Sequence, residues 1–317
     1  MSFRLAVVIP THQRRELVRG LLEALAAQSV PLDTFEVVLS CDGCDDGTAE
    51  AAIALASPGG AADGLVLSVV EQVRSGAASA RNRGFGSTTA PVVVFLDDDM
   101  VPAPGCLAAH EAAHAAHPGA LVIGHMPVHE ESPRSFLTEG LARWAERRHR
   151  RLSAPGATPR FDDVLTGHLS ISRAGFGRLG GFDPAFTEGG TFGGEDIEFG
   201  WRAIEAGIPV VYAGDAVSRQ VFVKTFRHLA RDIHEGALAD AALEQKHPAA
   251  QGLTRGPAVF TLARRFPRLA GAMAAPLVPL LDRAARGGAT GRVWEGLHAI
   301  TRQLIAGKAL SGSPRSS

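Results

Sequence analysis

The chain predicts an α/β fold, a mainly parallel sheet flanked by helices and followed by a helical C-terminal region. Three observations lead there. Apolar runs of strand length alternate with amphipathic helical segments through the first hundred residues. One run, 91–96, holds Val92, Val93, Val94 and Phe95 with no polar alternation, as a strand buried on both faces requires. Beyond about residue 221 helical spacing dominates, broken by Gly-Pro and Gly-Gly.

Taken in order, 5–9 reads as a buried strand ended by Pro10. Leu17, Leu21, Leu22 and Leu25 recur at helical spacing and predict an amphipathic helix. A second strand at 35–39 closes in the turn signals Asp42-Gly43 and Asp46-Gly47. An alanine-rich helix runs to about Ala56, a third strand covers 65–70 and a helix 79–88. Residues 120–213 mix short strands with a basic helix near 143–151 and a glycine-acid cluster at 188–198. Ligands of parallel sheets bind beyond the carboxyl ends of the strands. Here those ends carry Thr11-His12, Asp42, Arg74-Ser75-Gly76 and Asp97-Asp98-Asp99.

The 317 residues, 45% apolar, suffice for a sizeable core. A net charge of −1 advertises no affinity for nucleic acid, yet it hides an asymmetry. Residues 1–220 carry 18 Lys and Arg against 27 acids, whereas 221–317 carry 14 against 6. Three cysteines, Cys41, Cys44 and Cys106, are too few for a disulfide framework and fit a reducing compartment. Cys41 and Cys44 form a C-x-x-C, but no second pair completes a zinc site around it. The first apolar run is too short for a signal peptide. The longest other run, 269–281, contains Pro276 and Pro279 and falls short of the roughly 20 residues a bilayer span needs. The expectation is a soluble, cytoplasmic protein.

Two acidic clusters carry the chemistry. Asp97, Asp98 and Asp99 end an apolar strand, where three adjacent carboxylates repel one another and are costly to bury unpaired. A divalent cation relieves that repulsion, and oxygen ligands select Mg²⁺ or Mn²⁺, whose shells substrate phosphates complete. A solvated acidic turn is the plainer alternative, which the apolar strand before it disfavours. On an extended chain Asp97 and Asp99 face one side and Asp98 the other. Upstream, small residues from Gly76 to Gly84 let a ligand approach the backbone, and Arg81 faces either phosphate or the acids. In the second cluster, Glu195 and Asp196 open an amphipathic helix, where the helix dipole favours their charged forms. First-turn acids explain that pair cheaply. The glycines and phenylalanines just before it instead suit a flexible segment beside a general base.

These segments resemble the family-2 inverting glycosyltransferases of the GT-A fold, a Rossmann-like sheet architecture. Val7-Val-Ile-Pro-Thr11 is similar to the family's first strand, and Cys41-Asp-Gly-Cys-Asp-Asp-Gly-Thr48 to its nucleotide loop. Ala80-Arg-Asn-x-Gly84 and Phe95-Leu-Asp-Asp-Asp99 resemble its nucleotide and metal segments. Thr166-Gly-His-Leu-Ser-Ile-x-Arg173, Gly180-Gly-Phe-Asp183 and Gly193-Gly-Glu-Asp-Ile-Glu-x-Gly-Trp-Arg202 resemble the acceptor half of galactosyltransferase-like members. The motifs stand in the family's order over roughly 4–215.

The resemblance implies a catalytic domain over 1–220, with a nucleotide-sugar half at 1–119 and an acceptor half at 120–220. A basic helical region at 221–317 follows. It implies that Pro10, Thr11 and Asp42 bind the nucleotide base, Asp42 at the uracil-contacting position. Arg81 would lie near the ribose or diphosphate, and Asp97 and Asp98 would bind the donor. Asp99 and Asp97 would hold Mn²⁺ or Mg²⁺, Asp196 would be the catalytic base, Glu195 an acceptor-hydroxyl partner, and Trp201 a packing support. Two departures stand out. Cys41 and Cys44 replace the usual Asp and Ser, and Gln220 occupies the place of a metal-side histidine that His228 or His234 would have to supply.

The partners implied are a nucleotide-sugar donor, UDP-linked, and a glycan, lipid-linked or small-molecule acceptor, with no nucleic acid. The basic tail predicts packing against the acidic domain or a homodimer contact. A peripheral contact with anionic lipid at the inner membrane face is the weaker reading. The competing functions are nucleotidyl transfer and a nucleotide-sugar-binding pseudoenzyme. The first would show a phosphate-cradling loop near the N-terminus, unlike Pro10-Thr-His-Gln, and the second has no need of both Asp99 and Asp196.

Overall fold

Strand β1 (Leu5–Thr11) alternates its aliphatic side chains between two cores, which sets the layering of the first half of the chain. Leu5, Val7 and Ile9 meet Val18, Leu21, Leu22 and Leu25 of helix α1 (Arg15–Ala26) on one face. Val8 faces the other way, toward Phe95, Phe176, Phe182 and Phe199. The computed structural model describes residues 3–188, 193–250 and 258–312. The chain divides into two compact units, the first built mainly of residues up to Val221 and the second of Glu131–Trp144 and the chain from Phe222.

In the first unit β2 (Phe35–Asp42), α2 (Thr48–Ala56), β3 (Leu67–Gln72), α3 (Ala77–Gly86) and β4 (Val92–Leu96) follow α1 in strict alternation. Then come β5 (Met100–Pro102), α4 (Cys106–Ala116), β6 (Leu121–His125) and, from Ala145 on, helix α5 (Phe136–Leu152), whose earlier residues belong to the second unit. The unit finishes with β7 (His168–Ser172), α6 (Arg173–Leu179), α7 (Glu195–Glu205) and β8 (Val210–Gln220). The strands form one eight-stranded sheet, ordered β3-β2-β1-β4-β7-β6-β8-β5. β1 lies parallel to both β2 and β4, β2 to β3, and β6 to β8. β7 runs antiparallel between β4 and β6, and β5 antiparallel to β8, so the sheet is mixed with a parallel majority.

Several boundaries differ from the sequence reading: β2 runs on to Asp42 rather than ending at 39, and α3 spans Ala77–Gly86 rather than 79–88. Pro10 does not end β1, because pairing with β4 stops at Val8↔Phe95 and no partner on that side needs the missing N–H. β3 starts at Leu67, since the Leu65 N–H closes a turn onto the Ala62 carbonyl. β8 continues to Gln220, where Met100 of β5 pairs with it. The basic helix is also less solvated than its charges suggest. Arg148 is buried and donates to the Gly124 and Asp163 carbonyls, at 3.2 and 2.8 Å.

In the second unit α8 (Phe226–Lys246), α9 (Ala258–Arg265), α10 (Pro267–Arg286) and α11 (Arg292–Ala309) pack together. Phe136, Phe226 and Leu281 form one of its cores beside Trp294. Buried Asp282 there accepts the Arg227 N–H at 3.2 Å and pairs with Arg286. Among the described residues no helix is long and apolar enough to cross a membrane.

Candidate active site

The sheet order reverses beside β1, whose neighbours are β2 and β4, so the segments following β1 and β4 diverge above a natural ligand crevice. The acids after β4 lie there. The chain leaves the extended form after Leu96 and turns, with the Met100 N–H donating to the Asp97 carbonyl at 3.1 Å. This turn overrides the alternation expected of an extended strand. Asp98 and Asp99 share Arg14, which lies 3.2 Å from Asp98 and 3.9 Å from Asp99, while Asp97 pairs with Arg81. The Thr11 hydroxyl donates to Asp98 at 2.8 Å, and the Gln220 amide donates to Asp99 Oδ2 at 3.1 Å.

Arg81 joins the two acidic clusters. It stands on α3 with its side chain 4% exposed and donates to Asp97 Oδ1 at 2.6 Å and to Glu195 Oε1 at 2.7 Å. Burial works against its charge, but the two carboxylates more than offset this and raise its pKa. Its guanidinium thus faces the acids, one of the two placements open from the sequence. Glu195 opens α7, and its second oxygen, Oε2, is buried without a hydrogen-bond partner among the described residues. Asp196 is half-buried beside it, and desolvation together with the charge of Glu195 pushes its carboxyl up to about 7. Asp98 is raised likewise to about 7, first by burial and then by Asp99, against the opposing pull of Arg14.

The other expected site residues are placed less simply. Asp42, at the end of β2, accepts Gln72 Nε2 at 2.8 Å and the Ser75 and Gly76 N–H groups at 2.7 and 2.9 Å, so its carboxylate holds the loop before α3. Pro10 is buried within β1. Trp201 sets its ring edge-on to Phe161 at 5.1 Å. The first turn of α3 is capped by protein, since the Ala78 N–H donates to the Thr187 hydroxyl at 3.0 Å. His228 and His234 belong to α8 of the second unit, whereas Gln220 is the residue brought to Asp99. The expected glycine-rich segment lies partly at 189–192, outside the described residues.

Arg14 and Thr187 escaped the sequence reading. Neither carries a motif, and only the close approach of distant segments reveals them. Arg14 follows Gln13, which takes a left-handed φ of 58° in the turn leaving β1.

Oxygen donors at Asp97 and Asp99 suit a hard divalent cation. Asp97 Oδ1 is engaged by Arg81, while Oδ2 lies where a Cβ on Gly167 would come within 3.3 Å, so the missing side chain leaves room beside it. Carboxylates from two chain segments, one cationic bridge and one carboxyl poised near neutrality can together balance a departing anion and accept a proton.

Comparison with known proteins bears on this chemistry. Residues 6–169 match the profile of glycosyl transferase family 2, and 146–228 that of the N-terminal domain of galactosyltransferase. A validoxylamine A glucosyltransferase of Streptomyces hygroscopicus subsp. jinggangensis is 32% identical over 240 residues, 67% of this chain and 54% of that protein. The chain spans about half the length of the two validoxylamine A glucosyltransferases it matches. Glycosyltransferase AglE of Haloferax volcanii is 31% identical over 97 residues, 31% of each chain. Among solved structures, the mannosyltransferase PcManGT of Pyrobaculum calidifontis, in complex with GDP-Man and Mn²⁺, aligns with a TM-score of 0.62 at 21% identity. That alignment covers 98% of this chain and 87% of the other. S. aureus TarS 1–349 in complex with UDP-GlcNAc gives 0.57 at 14% identity, covering 98% and 90%.

Proposed function

Since this chain belongs to glycosyl transferase family 2 and has the GT-A fold, we propose that it moves a hexosyl group from a nucleotide-sugar to an acceptor hydroxyl by a single inverting displacement. The donor is UDP-linked on this reading, with Asp42 at the base-contacting position. The relatives support the class of reaction: two are named glucosyltransferases, and two neighbours of like fold were solved with nucleotide-sugars.

One observation carries the proposal, the Arg81 bridge that brings Asp97 and Glu195 to a single guanidinium. It ties the donor-side acids to the acceptor-side helix. Asp97 and Asp99 would hold Mn²⁺ or Mg²⁺, which supplies positive charge for the departing nucleoside diphosphate. Arg14 shares that work, its guanidinium directed at Asp98 and Asp99. Glu195, fixed through one oxygen by Arg81, offers the buried Oε2 to an acceptor hydroxyl. Asp196 then takes that hydroxyl's proton as the oxygen attacks the anomeric carbon from the face opposite the leaving group. One displacement inverts the anomeric configuration. A base poised near 7 is matched to this task, because it is ionised at working pH yet basic enough to accept a proton.

The test is product formation from labelled donor with and without a sugar acceptor, with the product anomer read by NMR. Inversion supports the single displacement, and retention of configuration overturns it. Arg81→Met should collapse turnover while donor binding weakens less, since it unties both acids at once. Undiminished turnover would remove the bridge from the mechanism.

A further inference from the structure

Behind the acidic cleft, α4 presents Cys106 and His110 one helical turn apart, both fully buried, toward His168 at the start of β7. Cys106 Sγ lies 3.4 Å from His168 Nε2, and His110 Nε2 lies 2.9 Å from the same atom. The three ligand atoms fall within 4.8 Å of one another. We propose that Cys106, His110 and His168 bind a zinc ion, at a site distinct from the carboxylate site and independent of the transferase reading.

The second ring nitrogens argue for it. His168 Nδ1 lies 3.3 Å from the His125 carbonyl, which can only accept, so Nδ1 carries the proton and a neutral ring turns a lone pair on Nε2 inward. His110 Nδ1 lies 2.8 Å from the Ser170 hydroxyl, itself 2.8 Å from His114 Nε2. Metal-bound histidines are held in this way, one nitrogen on the ion and the other steadied by a carbonyl or hydroxyl. Without an ion, the Cys106 thiol and a His110 ring proton compete for the single His168 lone pair. With an ion, all three inward atoms give lone pairs to one acceptor.

Tetrahedral zinc places ligand atoms about 3.3–3.6 Å apart. The 3.4 Å Cys106–His168 pair already fits, the 2.9 Å His110–His168 pair opens by about half an ångström, and Cys106 and His110 lie within 4.8 Å of each other. The sheet makes room for the ring, since a Cβ on Gly124 of β6 would come within 2.1 Å of His168 Cε1. A thiolate and two imidazoles select zinc over the Mg²⁺ or Mn²⁺ suited to Asp97 and Asp99. Zinc would displace the Cys106 proton to solvent, and water would fill the fourth position. The ion would pin α4 to β7, and the residue before β7, Gly167, accepts the Asp97 N–H at 3.3 Å.

The test is elemental analysis of the untagged full chain, purified from zinc-supplemented cells and dialysed without chelator. About one zinc per chain is expected, retained in Asp99→Ala and lost in Cys106→Ser and His110→Ala. Should the last two variants fail to fold, cobalt substitution of the wild type decides. A thiolate-to-cobalt charge-transfer band that persists in a Cys41→Ser/Cys44→Ser variant is the expected result. Only trace zinc in the wild type, or a cobalt spectrum without that band, overturns the proposal and leaves a hydrogen-bonded imidazole network.

Discussion

Asp196 is pushed up to about 7 by desolvation and by the charge of Glu195. A folded-state value above the unfolded one means that the native chain binds the proton more readily. The ionised carboxylate therefore opposes folding above about pH 7, and that opposition fades as pH falls toward the ordinary aspartate range. Asp196→Asn should raise the thermal midpoint at pH 8 while lowering kcat by about 10²–10⁴-fold with donor affinity kept. Near-normal turnover, or a midpoint lowered at pH 8, would contradict this. The same group predicts an acid limb in kcat/KM with its midpoint near pH 7, absent from the residual activity of the Asn variant. At Gln220, whose amide reaches Asp99, exchange for His should lower the Mn²⁺ concentration needed for half-maximal activity, because an imidazole is the better ligand there.

Helix α3 owes its placement to its first turn. Gly76 precedes it with φ of 95°, and a Cβ there would stand 1.9 Å from the Thr187 carbonyl oxygen. Because that obstacle is backbone, no rotamer change relieves it. Gly76→Ala should cost at least the roughly 1–3 kcal/mol of a strained backbone conformation, read as a lower midpoint in urea denaturation, and should displace Arg81 one turn along. The Asp97–Asp99 turn makes a second point about elements. Apolar patterning located β4 and the acids after it, but extended-strand alternation failed there. A turn closed by the Asp97 carbonyl redistributes the side chains between Arg14 and Arg81.

In the first unit five carboxylates, Asp97, Asp98, Asp99, Glu195 and Asp196, converge on two guanidiniums, Arg14 and Arg81. An excess of negative charge in one place destabilises the folded chain and is relieved by a bound cation. Mn²⁺ should therefore raise the thermal midpoint progressively with its concentration, by about 2.7 kcal/mol of added stability at 100 times its dissociation constant. Asp99→Ala should abolish that rise, and EDTA should remove turnover until Mn²⁺ or Mg²⁺ is restored. A midpoint indifferent to Mn²⁺ would count against a cation held by these acids.

The amino-acid sequence by itself determined the order of strands and helices, the two-sided core and the location of both acidic clusters. Each of these is written in the spacing of neighbouring residues, and local periodicity is enough to read it. Only the tertiary structure decided the partnerships: Arg81 with acids 16 and 114 positions away, Thr11 with Asp98, Gln220 with Asp99, and Cys106 and His110 with His168. Such contacts depend on which chain segments packing closes onto one another, and a guanidinium or imidazole carries no local mark of the partner it will meet.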